Sequence, residues 1–467
     1  MYVAIMSDNF FIPQIYYFLR NFSYLWVILI NKNNYKMKKL AIYLMFILCG
    51  ASAVMAAPPR TTFVKVTVTP DHADWCYKCG EKPTFSVTVT DCSNAPIKDA
   101  QIYYEISEDF LSPLEKGDKT LADGAITFTG HTMKKPGFLR CRVWAKVDGK
   151  KYDECATAAF EKERIEPKTI MPKDFEAFWR AEIEKNQKID MLPQLDLVPE
   201  KCTPKVKVYS ASFQSFKKGS RIYGTLCVPT SYNGKCPAIL IVPGAGCRSR
   251  KGYYAEAEKG FVTFEVGIHG IPTVMADERI YETLKQGSLL NYPSANVDDK
   301  DNYYYKRVFV SCARAVDFLA SLDFVDPERI GVMGGSQGGA LTITTSYLNP
   351  KVKAGAAFYP AMCDLTGYLY DQGNSWPYLF NNKKLATKER LETVKYYDVV
   401  NFARGVQQPM WVSYGYNDLV VCPTSIQGAI NEMPKAPEVM IVPQSRHWTY
   451  PEQDSARSKW MMNQLTK

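Results

Sequence analysis

From Thr62 to about Glu161, apolar and polar residues alternate with a period of two in short runs. The clearest are Phe63-Val64-Lys65-Val66-Thr67-Val68, Thr84-Phe85-Ser86-Val87-Thr88-Val89, Ala125-Ile126-Thr127-Phe128 and Leu139-Arg140-Cys141-Arg142-Val143-Trp144. Successive strand side chains point to opposite faces, so this period marks half-buried strands. Asp148-Gly149 supplies a hairpin turn. Short strands with turn residues between them predict an all-β, immunoglobulin-like sandwich over residues 60–162. Nothing in it has a catalytic pattern; packing on a second domain, spacing and glycan binding are the roles open to it.

Beyond Lys205 the pattern changes to continuous apolar runs separated by helical stretches. Buried strands are expected at Ala238–Val242, Phe261–Val266, Ile330–Met333, Gly355–Phe358, Trp411–Tyr414 and Val439–Val442. Between two of them, Val308, Cys312, Ala315, Val316 and Leu319 fall on one helical face. Strands alternating with helices predict an α/β second domain over 163–467, with a mainly parallel sheet covered on both faces. Arg164-Ile165-Glu166-Pro167 reads as the linker, and Asp174 as the N-cap of a helix that runs through Phe175, Phe178 and Trp179.

Residues 1–57 read as a leader. Met37-Lys38-Lys39, the apolar run Leu40–Leu48 and the small residues of Ala53-Val54-Met55-Ala56-Ala57 form the three parts of a secretory signal over 37–57. Residues 1–36 then read as spurious upstream sequence. The earlier apolar stretch, Phe10 to Ile30, is interrupted by Pro13, Gln14, Arg20 and Asn21, which argues against a membrane span. The expectation is an exported protein, periplasmic or extracellular, with no stable span once the signal is removed.

Composition adds limits. A chain of 467 residues with 46% hydrophobic and 22% charged residues is globular and long enough for two domains. The formal charge of +9 falls to +5 without the leader, which holds five Lys/Arg and one Asp, and no basic run points to nucleic acid. Thirteen cysteines in an exported chain permit disulfides. Cys76-x-x-Cys79 has no second such pair, and His72 and His131 lack ligand spacing, so neither metal nor cofactor is expected.

The chemistry centres on Gly334-Gly335-Ser336-Gln337-Gly338, which follows the strand Ile330–Met333 and opens a helix. In a G-x-S-x-G elbow the serine sits in a sharp strand-to-helix bend and its hydroxyl stands above the sheet. The N–H of Gln337 then points to where an oxyanion would form. A serine hydroxyl needs a base, and the base needs an orienting acid. On this fold they follow in the order Ser, Asp, His, each after a strand. Asp418 follows Trp411–Tyr414, with Asn417 the weaker neighbour, and His447 follows Val439–Val442. Of four histidines two lie in the sandwich; of the others, His269 and His447, only His447 comes after the acid. The loop Pro243-Gly244-Ala245-Gly246 offers the N–H of Ala245 as the second oxyanion donor.

From about Pro172 onward the chain resembles the acetyl xylan esterase and cephalosporin C deacetylase family of carbohydrate esterases. The resemblance rests on Pro172-x-Asp174-Phe175-x-x-Phe178-Trp179, Tyr304-Tyr305 through Arg314-Ala315-Val316-Asp317-Phe318-Leu319, Asp326-x-x-Arg329-Ile330, Gly334-Gly335-Ser336-Gln337-Gly338-Gly339, Asn401-Phe402-Ala403, Asp418 with Cys422-Pro423, and His447. It implies an α/β-hydrolase fold, Ser336, Asp418 and His447 as a triad, and the amides of Ala245 and Gln337 as the oxyanion hole. The chain departs from the family's usual Arg-Gly-Gln, having Gly267-Ile268-His269-Gly270 there. It also has Ala245 where a tyrosine is usual and Trp448 where a glutamate is usual. These changes bear on pocket shape, on the hydrogen-bonded support of the site and on any homo-oligomer.

The long connections His269–Tyr303 and Ala361–Val400 are the expected pocket walls. The second carries Tyr368, Tyr370, Trp376, Tyr378 and Phe380, aromatics able to stack on sugar. His269, Trp376 and Trp448 are the candidate substrate contacts. The expected activity is removal of O-acetyl groups from a carbohydrate or small acetyl ester through an acetyl-enzyme on Ser336. The rivals are a prolyl oligopeptidase-type peptidase, for which about 100 residues of sandwich are too few to build a propeller, and a non-catalytic glycan-binding protein.

Overall fold

The computed structural model describes residues 63–466 apart from Ala276; the leader 1–57 lies outside the described residues. The period-two runs of the N-terminal third form two sheets. Val64–Pro70, Thr84–Asp91 and Ala125–Thr129 make one sheet of three antiparallel strands. Cys76–Tyr77, Lys150–Phe160, Gly137–Val147, Ala100–Glu108 and Pro113–Leu121, in that spatial order, make a sheet of five. Phe85, Val87 and Val89 from the first share one core with Ile102, Ile106, Leu139 and Val143 from the second, so strands such as Thr84–Asp91 and Ala100–Glu108 bury one face, as their alternation requires. Asp148 and Gly149, at φ 49° and 75°, close the hairpin between Gly137–Val147 and Lys150–Phe160. Two consecutive positive φ values suit the right-handed twist of the paired strands.

The rest of the described chain is built on a nine-stranded sheet. Its order is Glu438–Ile441, Met410–Tyr414, Val352–Phe358, Val325–Gly335, Cys236–Ile241, Val262–Val266, Arg221–Pro229, Val206–Gln214 and Gln194–Leu197. The first six run parallel and contain the six strands expected from the apolar runs. The last three are antiparallel and were not anticipated. Both faces are covered. Ala238 and Leu240 pack with the helices Phe175–Gln187, Tyr304–Ala320 and Gln337–Leu348. Ile239 and Ile241 pack with Trp460, Met461 and Leu465 of the C-terminal helix Pro451–Thr466. Burial on both faces is why the inner strands read as unbroken apolar runs; Glu438–Ile441, expected to be buried, is instead an edge strand, exposed to half-buried. Asp174 does precede its helix, but its side chain makes no cap bond; its Oδ1 accepts the Tyr396 hydroxyl at 2.6 Å instead.

The strand order reverses at Cys236–Ile241. The chain passes from there to its neighbour Val262–Val266 on one side, then returns to Val325–Gly335 on the other. At such a switch point the carboxyl ends of the strands open a crevice, and the elbow and the Pro243–Gly246 loop are the two segments that leave it.

Within Ala361–Val400, two buried carboxyls hold the connection in shape. Asp398 accepts the backbone N–H groups of Asp364, Leu365 and Val400 at 2.7–3.0 Å. Asp364 Oδ1 accepts those of Lys168 and Thr169 at 2.9 and 3.0 Å, while its Oδ2 is buried without a hydrogen-bond partner. Burial, and then repulsion from Asp398, push the Asp364 carboxyl up to about 7.

Two predictions follow from this packing. A Cβ on Gly338 would stand 2.5 Å from the Val242 carbonyl oxygen, so Gly338→Ala should lower stability by about 2 kcal/mol or more in urea unfolding. At Gly149, φ +75° with open space around it, the same change should cost only about 1 kcal/mol of backbone strain. For Asp364, the folded state keeps a proton that the unfolded chain releases near pH 3.8, so the penalty grows as pH rises from there to about 7. Asp364→Asn removes it. The variant's urea midpoint should exceed that of the parent at pH 8 by the equivalent of about 1–2 kcal/mol, with the gap shrinking toward pH 4.

Candidate active site

The elbow is as tight as its glycines suggest. Ser336 has φ 61° and ψ −123°, a region that non-glycine residues rarely occupy. A Cβ at Gly334 or at Gly338 would lie 2.5 Å from the same Val242 oxygen, and one at Gly339 the same distance from the Phe358 oxygen. Strand, turn and helix therefore touch at the backbone. The bend is held by the Ser336 N–H donating to Phe358 O at 3.0 Å, and by Ser336 O accepting the N–H of Ala340 and of Ala361 at 3.1 Å.

Two further loops meet the serine. His447 Nε2 lies 3.1 Å from Ser336 Oγ, and His447 Nδ1 lies 2.8 Å from Asp418 Oδ2. The carboxylate is fully buried, and its other oxygen accepts the N–H of Val420 at 2.8 Å and of Val421 at 2.9 Å. With Oδ1 occupied in this way, Oδ2 is aimed at the imidazole, which donates from Nδ1 and turns Nε2 as an acceptor toward the Ser336 hydroxyl. The acid and base loops are also in backbone contact: a Cβ on Gly415 would stand 2.0 Å from Ser445 O, and Pro443 O accepts the N–H groups of Tyr416 and Asn417 at 3.1 and 3.2 Å. Tyr359 lies against the imidazole, with ring centroids 4.4 Å apart.

Gln337 does more than present an amide. It opens the helix Gln337–Leu348, so its N–H is among those without an intrahelical acceptor. Its side chain, 0% exposed, ties the helix start to the neighbouring loop: Nε2 donates to Pro243 O at 3.1 Å, and Oε1 accepts the hydroxyls of Tyr292 at 2.6 Å and Tyr305 at 2.8 Å. The Tyr292 oxygen in turn accepts the Gly246 N–H at 3.2 Å. The loop containing Ala245 is thus pinned on both sides of that residue. Sequence reading singled out Gln337 for its amide and missed Tyr292 as a partner.

His269 stands behind this loop. It is 9% exposed, its Nδ1 is 2.7 Å from the Tyr304 hydroxyl and its Nε2 is 3.4 Å from Gly246 O. Arg307 donates to the Tyr304 oxygen at 2.8 Å, so the tyrosine proton goes to Nδ1 and the ring carries its own on Nε2. Burial lowers the imidazole to about 4, with the charges of Arg250 and Arg307 acting the same way. His269 is therefore a neutral prop of the Gly246 turn at neutral pH.

The aromatic candidates divide. Trp448, 47% exposed, and Tyr370, 62% exposed, present large open surfaces. Trp376 is half-buried against the core, and Phe380 is fully buried within it. The Tyr378 hydroxyl donates to Val420 O beside the acid loop, and its ring stacks on Phe110. Among the described residues no group of three His, Cys, Asp or Glu side chains could hold a metal.

Comparison with known proteins matches the chain to one family. The model of the acetyl xylan esterase (AXE1) family matches residues 161–464. The acetyl esterase Axe7A of Xylanibacter ruminicola is 36% identical over 442 residues, 93% of this chain and 98% of the relative. The acetyl xylan esterase from Paenibacillus sp. R4 superposes with a TM-score of 0.56 at 21% identity, over 65% of this chain and 98% of its own. Acetyl xylan esterase 1 from Thermoanaerobacterium sp. JW/SL YS485 has the same TM-score at 20% identity and the same coverage; at these identities the likeness concerns the α/β-hydrolase fold alone. By the family match and the relative of nearly equal length, the chain belongs to the acetyl xylan esterase family and is a serine carboxylic-ester hydrolase.

Proposed function

We propose that Ser336, His447 and Asp418 carry out the removal of O-acetyl groups from carbohydrates in two acyl-transfer steps. Ser336 Oγ attacks the acetyl carbonyl carbon while His447 Nε2 takes the hydroxyl proton. The oxyanion is received by the N–H groups of Gln337 and Ala245. Its collapse breaks the ester bond, and His447 returns the proton to the departing sugar hydroxyl, leaving an acetyl group on Ser336. A water that gives its proton to His447 then attacks this ester, and acetate leaves as Ser336 regains its hydrogen. The Asp418 carboxylate orients the ring and stabilises the imidazolium. Each oxyanion donor is typically worth about 2.7–4 kcal/mol of barrier.

The observation that carries this reading is the continuous chain of contacts, 3.1 Å from Ser336 Oγ to His447 and 2.8 Å from His447 to Asp418. The network on the Gln337 side chain supports the oxyanion assignment, because it fixes the loop of Ala245 against the helix start. Trp448, exposed and adjacent to His447, is the wall best placed to meet a sugar ring. The signal-like segment 37–57 supports export to the periplasm or beyond.

Acetate release from acetylated xylan, xylo-oligosaccharides and a small aryl acetate tests the proposal. Ser336→Ala should lower kcat by on the order of 10⁴-fold or more, and should abolish labelling by a fluorophosphonate. Asp418→Asn should cost on the order of 10³- to 10⁴-fold with the fold intact by circular dichroism. Retained activity in Ser336→Ala would overturn the mechanism. Turnover of an aminoacyl-proline amide in preference to the acetyl esters would move the protein to the peptidases.

A further inference from the structure

We propose that the N-terminal β-sandwich is a working part of the catalytic centre, with Arg140 as the positioning residue that fixes the Asp418 loop; this rests on the triad proposed above. Arg140 lies on the strand Gly137–Val147 and is 5% exposed. Its Nη2 donates to the backbone oxygens of Tyr416 at 3.1 Å and Asp418 at 3.0 Å, and pairs with Asp109 Oδ1 at 2.8 Å. Its Nε donates to Thr157 Oγ1 at 3.0 Å. Thr157 donates to Asn417 Oδ1 at 3.0 Å, and Asn417 Nδ2 donates to Cys155 O at 2.6 Å. Three consecutive residues, Tyr416, Asn417 and Asp418, are therefore held from the sandwich by side chains or backbone of Arg140, Thr157 and Cys155.

The far end of the same loop is tied as well. Asp109 Oδ2 accepts the Cys422 thiol at 2.9 Å, and the N–H and hydroxyl of Thr424 at 3.1 Å. The base loop has its own tie: Arg446, next to His447, donates to Glu154 Oε1 at 2.8 Å and to Asp153 O at 3.0 Å on the strand Lys150–Phe160. A guanidinium taken out of water is costly unless it is paired and its donors are met. Here an ion pair with Asp109 neutralises it, Nη2 donates to the carbonyls of Tyr416 and of Asp418, the residue that orients the base, and Nε donates to Thr157. A side chain that only filled space at this boundary would be apolar. Catalysis is sensitive to a misplacement of about 1 Å between base and nucleophile, and the segment from Gly415 to Cys422 has no regular secondary structure of its own.

The test uses the full chain. Arg140→Gln and Arg140→Lys are assayed on an aryl acetate and an acetylated xylo-oligosaccharide across pH, alongside urea midpoints and Ser336→Ala as a dead control. For Arg140→Gln, kcat should fall about 10- to 100-fold with KM within twofold, and the acidic limb of the kcat/KM profile should shift; Arg140→Lys should recover part of the loss. Should Arg140→Gln fail to fold, Thr157→Val, nearly isosteric and removing the links to Asn417 and to Arg140 Nε, decides: a kcat loss of about threefold or more with KM unchanged supports the proposal. Parental kcat and pH profile in the folded fraction of these variants, with Ser336→Ala inactive, would overturn the positioning role and leave the triad standing. Activity in Ser336→Ala would remove both.

Discussion

The site depends on one strained residue. Ser336 is held at φ 61°, ψ −123°, a conformation that costs of order 1–3 kcal/mol for a side chain with a Cβ. It persists because its N–H and C=O are both engaged by neighbouring segments and because the glycines around it let three backbones meet where no side chain fits. The strain is local, but its result is positional. It lifts the hydroxyl to the crevice where the strand order reverses, and it brings the first amides of the following helix beside the Pro243–Gly246 loop. The imidazole and its carboxylate are then delivered from two later strand ends.

Much of this could be read from the residues alone, for definite reasons. Five of the six parallel strands are buried on both faces and so appear as apolar runs, while the edge strand Glu438–Ile441 is exposed to half-buried; the elbow is written in glycines that geometry requires; the order Ser, Asp, His follows from the topology. The antiparallel strands Val206–Gln214 and Arg221–Pro229 escaped notice because each begins with mixed burial and ends in a continuous buried stretch, a pattern with neither a helical nor a strand period. Cys155–Phe160 hid for a related reason. Ala156, Ala158 and Phe160 face the sandwich core while Ala159 joins the hydrolase core, so no polar face remains to mark the alternation.

The side-chain partnerships that local pattern does not show share a cause: the partners are distant in the chain. Arg140 alternates with Leu139 and Cys141 and so looks solvent-facing, yet the acid loop, nearly 280 residues later in sequence, covers it. His269 stood among the candidate substrate contacts; Tyr304 and the Gly246 carbonyl face its two nitrogens. The place of the Gln337 amide at the helix start can be inferred from a local motif, whereas the bonds of its carboxamide depend on Tyr292, Tyr305 and Pro243 coming together. Local pattern reports which face is wet in an isolated element; it cannot report what a second body of structure will later cover.

The boundary between sandwich and hydrolase therefore differs from a simple greasy seam. Oily surfaces of similar shape can often be exchanged between relatives, since dispersion and water exclusion tolerate many residue choices. Here the contact is written as a set of matched donors and acceptors, Arg140 with two carbonyls, Thr157 with Asn417, Asp109 with Thr424. Such a set drifts only in concert. The two halves of this chain are in that sense one heritable unit, and grafting a foreign sandwich onto the esterase would have to carry these specific partners with it.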